Sequence, residues 1–361
     1  MNINRINTVS FKGKIIDAHV HVGHWKGANY TNNEIDVFTK SPLQNGDTIE
    51  KIIVSNLSCI EPTNMKDELV GNKELLDLSR SSSKIAPLAV CQPKTGSVSN
   101  IERLFNENPN MFVGLKFHPD EHQIMASDTR FIPYLEFAKK HNLPCLFHCG
   151  VNWENGKLVD ESKQFSSPER IYLTAKKMPD VPVIMAHLGA GGGKVHTRAV
   201  SVLMESLLKN DAKLYADISW VDIDNPQKPT IINLIKRLRN SENGDFIGRL
   251  LFGSDAPIGE FASGKDGLSG KEFYEKTVAD IKAAIKKNFS NDADEIINRI
   301  FYQNANELFF TQKADSNFVT TETAAKKTKY GKYVVGLTLL VVGVLSFLFA
   351  KEHRERKSLS K

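Results

Sequence analysis

Apolar and polar positions fall in blocks along most of the chain: short runs rich in Val, Ile and Leu recur between longer polar or helical-period segments. Eight runs stand out, Lys14–His21, Lys51–Cys59, Lys84–Cys91, Phe112–His118, Pro144–Cys149, Val181–Leu188, Lys213–Ser219 and Arg249–Asp255. A near-continuous apolar run fits a strand buried on both faces, and regular alternation with helices fits parallel β-α-β units. Apolar residues spaced three and four apart predict helices over Phe131–His141, Thr197–Leu208 and Thr277–Lys286. Eight strand–helix units over about 300 residues predict an α/β fold closed as a (β/α)8 TIM barrel. Two inserts break the rhythm, Gly23–Asp47 after the first run and the glycine-rich Pro257–Gly270 after the eighth. Long loops at the C-terminal ends of barrel strands are where substrates are held, so Trp25, Tyr30 and Phe38 are candidates for a pocket wall, the other reading being aromatics that pack the loop onto the barrel.

Polar residues within these runs sit at their ends. The first run closes on Asp17-Ala18-His19-Val20-His21. Side chains alternate along a strand, which puts Asp17, His19 and His21 on one side and Ala18 and Val20 on the other. Two imidazoles on one strand suit zinc but need further ligands from elsewhere; the other reading is a pair of hydrogen-bonded core histidines. Lys116 and His118 end the fourth run, His148 the fifth, His187 the sixth and Asp255 the eighth, so five of the ten histidines occupy strand tips. In a closed barrel those tips converge on one mouth.

This order of strand-tip residues resembles the amidohydrolase superfamily, in its amidohydrolase-related branch of hydrolases and decarboxylases acting on small carboxylated rings and lactones. The resemblance spans residues 14–312 and includes Asn304-Ala305-Asn306-Glu307-Leu308-Phe309, similar to an ending common in that branch. It implies a divalent metal, zinc first, held by His19, His21, His148 and Asp255, with a second ion open. His187 is then a proton-transfer or substrate-polarising residue, or a ligand of the second ion. Lys116 is a charge partner for substrate or, as in some superfamily members, a carboxylated lysine bridging two metals.

The chemistry follows from the donor types. Three neutral imidazoles and one carboxylate leave a divalent ion positively charged, with room for a water whose pKa falls toward about 7. Asp255 can take the water's proton through its second oxygen as general base, and His187 can donate to a leaving group or steady an oxyanion. Lys116 and His118, on either side of Phe117, face the mouth and can bind a carboxylate or carbonyl; Arg170 and Arg198 are further cations for such a clamp. Asp17 is expected to orient its neighbours and Asp217 to accept from a ligand N–H. His24, His122, His141 and His196 read as surface histidines. Gly189–Lys194 lacks the spacing of a phosphate-binding loop and reads as a flexible loop.

Composition adds a tail. With 41% hydrophobic and 25% charged residues the 361-residue chain is globular, and its net charge of +5 is unevenly placed. From Lys326 onward there are nine Lys or Arg against two Glu, which leaves the body slightly acidic and gives no footprint for nucleic acid. Tyr333–Ala350 is eighteen residues without a charge, flanked by lysines and arginines. That length reaches the minimum of about 18 for a single transmembrane helix. The domain expectation is therefore a barrel over 1–312, a polar linker over 313–332, a tail anchor over 333–350 and a basic tail over 351–361. Met1–Lys14 has no apolar core of a secretory signal, so the barrel is expected in the cytoplasm, tethered to a membrane. Cys59, Cys91, Cys145 and Cys149 form no Cys-x-x-Cys pair and read as buried thiols in a reducing compartment. The expected partner is a small-molecule substrate, with a homodimer left open. Three functions follow: a metal-dependent hydrolase of a small amide, lactone or ester; a non-oxidative zinc decarboxylase of an aromatic or muconate-type acid; and a membrane-tethered binding protein without turnover.

Overall fold

The computed structural model describes residues 13–311, apart from positions 63, 151–152, 155–156, 161–162, 190–192, 224–229, 242–243, 259–263 and 266. Contacts divide the chain into Met1–Gln312 and Lys313–Lys361. The linker, the Tyr333–Ala350 anchor and the basic tail lie outside the described residues. Among the described residues no helix is long and apolar enough to cross a membrane.

One sheet organises the barrel. Its strands are β1 (Lys14–Trp25), β2 (Ala28–Tyr30), β3 (Thr48–Asn56), β4 (Ile85–Val90), β5 (Gly114–Phe117), β6 (Cys145–Phe147), β9 (Val183–Met185), β10 (Leu214–Asp217) and β11 (Leu250–Leu251), with β7 (Trp153–Glu154) and β8 (Lys157–Leu158) forming a separate hairpin. The order is β11-β10-β9-β6-β5-β4-β3-β1-β2, and all neighbours are parallel except β1 with β2. The ends meet: Ala18 N donates to Phe252 O (2.9 Å), His21 N to Ala256 O (2.7 Å) and Asp255 N to His19 O (2.8 Å), and Val20 pairs with Ala256. All eight apolar runs therefore lie on the barrel wall, with the helices between them.

Two layers fill it. Alternate strand residues such as Cys145, Phe147, Val183 and Met185 face outward into the large core shared with the helices. Their neighbours Leu146 and Ile184 join Ile16, Ala18, Leu88 and Leu251 in a second cluster, which Ala305, Leu308 and Phe309 complete. This accounts for the Asn304–Phe309 stretch as structure rather than chemistry. Buried Asn304 donates through Nδ2 to Ile247 O (2.9 Å) and Leu250 O (2.6 Å), fixing the entry to β11. Asn304→Ala strands both carbonyls and should cost about 2 kcal/mol, read as a lowered thermal midpoint; an unchanged midpoint would remove this role. All four cysteines are buried and unpaired, and burial pushes the Cys59 thiol up to about 12, so they behave as small apolar residues.

The first insert carries regular structure. Gly23–Asp47 begins as the β1–β2 hairpin and continues as helix α1 (Asn32–Thr39), started by a capping box in which Thr31 Oγ1 and Glu34 serve each other's backbone N–H. A second box, Ser269 with Glu272, starts α2 (Gly270–Asn288), well before the helix expected from Thr277. Trp25 and Tyr30 pack on Leu57, Cys59, Ile60 and Val90 together with Ile258, and Trp25 also lies 6.2 Å from the His118 ring. The side chain of Phe38 lies outside the described residues.

Candidate metal centre

At the mouth, three side chains converge. His21 Nε2 lies 2.8 Å and His19 Nε2 3.3 Å from Asp255 Oδ1, and the three residues offer ligand atoms within 4.8 Å of one another, all buried. A tetrahedral site with bonds of about 2.0–2.1 Å has ligand–ligand edges of about 3.3 Å, close to the 2.8 and 3.3 Å separations from Asp255 Oδ1. Outer contacts set the rings. Ser55 Oγ is 2.9 Å from His21 Nδ1, leaving Nε2 inward, and His19 Nδ1 faces Asp217 Oδ2 at 3.2 Å. Asp217 is itself held by His187 N (2.9 Å) and Ser219 Oγ (2.5 Å). Gly253 permits this closeness, since a Cβ there would meet Asp217 and the His19 Cβ at 3.0 Å.

Electrostatics match a cation. Burial holds the His21 imidazole down at about 4, so it stays neutral and able to ligate. Burial alone would raise Asp255, but His19 and His21 outweigh it and hold its carboxyl well below the usual carboxylate range. Buried His19 Nδ1 and Asp217 Oδ2 have no hydrogen-bond partner of good geometry, although they face each other. Two imidazoles, an ionised carboxylate and a carboxylate behind one of the rings are a donor set that fits a divalent ion.

The strand-tip residues reach the mouth because the chain leaves the ladder there. His187 (φ 38°) and Asp255 (φ 63°) occupy the left-handed region just past β9 and β11, which turns their side chains away from the next strand position. Lys116 Nζ lies 2.9 Å from His19 Nε2, and burial lowers its ammonium to about 8 against the pull of Asp255 and Asp217. His187 stacks on His19 at 5.7 Å, and burial lowers it to about 4.

His148 does not join the three. Its Nδ1 sits 3.1 Å from His187 Nε2, its Nε2 3.6 Å from Asp120 Oδ2, and its ring stacks on His118 at 4.0 Å. Asp17 also departs from the expected face. The β1–β3 register shifts between Asp17 and Val20, and the Asp17 carboxylate accepts from His19 N (3.2 Å), Ser254 N (3.0 Å) and Tyr274 Oη (3.0 Å) of α2, so it orients the backbone beside the ligands rather than joining the imidazoles. Arg198 is committed to Glu169 at 2.6 and 2.7 Å and Arg170 Nε donates to Gln164 O, so among the expected clamp cations Lys116 is the one beside the ligands. His122 and His196 are buried rather than on the surface, their rings bonded to Cys59 O (2.9 Å) and Leu188 O (2.8 Å); His141 is exposed and His24 pairs with Glu61 at 3.3 Å. The loop residues 190–192 lie outside the described residues.

Two contributors escaped the sequence. Ser55 is the next-to-last residue of β3, inside the run read as Lys51–Cys59, so the rule that marks run ends passes over it. Trp220, whose Nε1 donates to Asp255 Oδ2 at 2.9 Å, follows β10 in a turn that no pattern marks.

A closed parallel barrel with a His/His/Asp cluster at its C-terminal mouth defines a class of metal-site barrel proteins. The chain belongs to the amidohydrolase family, whose model matches residues 89–311, a span that includes Lys116, His118, His148, His187 and Asp255. No curated protein sequence matches it. Similar solved structures include a probable 2-pyrone-4,6-dicarboxylic acid hydrolase of Acinetobacter baumannii with citric acid bound (16% identity, TM-score 0.51, 82% of this chain and 98% of that one). They also include 2,6-dihydroxybenzoate decarboxylase from Rhizobium (14%, 0.52, 83% and 99%). A third is an amidohydrolase of Burkholderia multivorans with bound zinc (12%, 0.54, 82% and 99%). At these identities the likeness shows the fold alone.

Proposed function

We propose that the protein is a zinc-dependent hydrolase of a small amide, lactone or ester. The observation that carries this is the convergence of His19 Nε2, His21 Nε2 and Asp255 Oδ1 beside the buried ammonium of Lys116. A bound divalent ion supplies Lewis acidity and makes water more acidic. The chain's own residues do the rest. Lys116 binds the substrate carboxylate or carbonyl oxygen, and His118, stacked on His148, walls the approach. Asp255 Oδ2, which accepts from Trp220, keeps a lone pair for the proton leaving the attacking water. His187, neutral because burial lowers it to about 4, gives an N–H to the developing oxyanion, with Asp217 fixing its backbone N–H, and the proton taken by Asp255 passes to the leaving group.

The same side chains suit a non-oxidative decarboxylation of an aromatic or muconate-type acid, in which Lys116 would hold the carboxylate that leaves. The resemblance in fold to 2,6-dihydroxybenzoate decarboxylase supports keeping this second function in view. Tethering through Tyr333–Ala350 belongs to the same proposal, resting on its eighteen uncharged residues. The test is metal analysis of the purified protein and an assay of small lactones, amides and aromatic acids, on the full chain and on protein truncated before Lys326. About one equivalent of zinc, turnover that consumes water without releasing carbon dioxide, and a soluble truncated form of equal activity are expected. Carbon dioxide release without net water uptake selects the decarboxylase, and metal-free protein with full activity overturns both. Metal-loaded protein inert to every substrate favours a tethered binding protein.

A further inference from the structure

We propose that Trp220 is a positioning residue for Asp255, its indole N–H holding Oδ2 so that Oδ1 is the oxygen presented to the metal; this assignment rests on the metal-centre function proposed above. Three observations support it. Trp220 Nε1 donates to Asp255 Oδ2 at 2.9 Å, while Oδ1 of the same carboxylate lies 2.8 Å from His21 Nε2 and 3.3 Å from His19 Nε2. The two oxygens are therefore already divided between a neutral N–H donor and the two imidazoles. Second, Trp220 adopts φ 58°, in the left-handed region that bulky residues rarely enter. A local conformation this unfavourable for a large side chain persists where its surroundings over-determine it, commonly at a functional site. Here Ser219 N and Oγ both donate to Asp217 Oδ1, tying the turn to the carboxylate behind His19.

Third, Trp220 is only partly buried. Trp220 is 39% exposed and borders a cavity of about 500 Å³ shared with Phe273, Thr277 and Ile281. A large side chain kept half in solvent gains little from burial, whereas a donor aimed at a metal-side carboxylate acts on ligand geometry directly. Partners behind a ligand commonly change metal affinity ten- to a hundredfold when removed.

The experiment compares zinc binding by the wild-type full chain, Trp220→Phe and Trp220→Gly, using chelator competition, with thermal unfolding of each metal-free protein alongside. Trp220→Phe keeps a ring and loses the N–H; Trp220→Gly loses the N–H and also relieves the φ 58° backbone. The expected result is a zinc affinity about ten- to a hundredfold weaker in both variants, while metal-free Trp220→Gly unfolds no earlier than the wild type. A merely structural Trp220 would instead lower affinity only where metal-free stability falls with it, and that pattern overturns the proposal. So does a Trp220→Phe protein that binds zinc as tightly as the wild type. Wild-type protein that takes up no zinc overturns the metal centre itself and the role of Trp220 with it, whereas tight wild-type binding with unaffected variants removes only the latter.

Discussion

Replacing His21 with alanine is expected to strip the metal and lower kcat/KM by about a thousandfold or more, since a catalytic cation is worth several kcal/mol and each 1.36 kcal/mol is tenfold. The geometry explains the size. His21 Nε2 is the atom nearest Asp255 Oδ1, at 2.8 Å, and its loss leaves one imidazole and one carboxylate at the cluster. Ser55→Ala provides the graded control: it removes only the hydroxyl 2.9 Å behind the ring and should weaken metal binding about ten- to a hundredfold. Metal content by elemental analysis and steady-state rates decide the matter. A His21→Ala protein that retains both zinc and turnover would contradict the centre as drawn.

The second large effect has opposite signs in activity and stability. Lys116→Met removes the ammonium that lies against His19 and should abolish most turnover, yet make the metal-free protein more stable at pH 7. The sign follows from linkage. Burial holds Lys116 at about 8 in the folded chain, below its ordinary 10.5, so the folded state binds this proton less tightly than the unfolded one. The resulting penalty is fully present below pH 8 and fades as pH rises from 8 toward 10.5. Its size is on the order of 3 kcal/mol. Denaturant midpoints of wild-type and Lys116→Met protein, both metal-free, should therefore differ most at pH 7 and draw together by pH 10. A Lys116→Met protein less stable than wild type at pH 7 would mean that Asp255 and Asp217 depend on this cation more than its own desolvation costs.

Why some of this was legible in the sequence and some was not has a physical basis. The barrel was legible because a strand buried on both faces has little choice but to be apolar, as in Val183–Met185 and Cys145–Phe147, and because a polar residue can end such a run only where the strand opens to a mouth. His19, His21, Lys116 and Asp255 follow from that logic. Strand alternation placed Asp17 with the histidines, and it failed there because a register shift is set by the neighbouring strand β3 rather than by local composition. Two helix starts were missed for a different reason: Thr31 with Glu34 and Ser269 with Glu272 are capping boxes, which apolar spacing alone does not mark. His148 could not be placed, because whether its ring meets the cluster or turns to His187 depends on stacking with His118 in three dimensions. Trp220 was invisible, since nothing in the order of residues announces a tryptophan in a left-handed turn.

The closure of the barrel has a consequence during synthesis. His21 and Asp255 are 234 residues apart, yet β1 is joined to the segment carrying Asp255 by main-chain hydrogen bonds, so the ligand cluster straddles the joint between the first strand and the last. A nascent chain emerging from the ribosome exposes His19 and His21 early but lacks their carboxylate partner until Asp255 follows. The three candidate ligands therefore come together only when the last strand closes on the first.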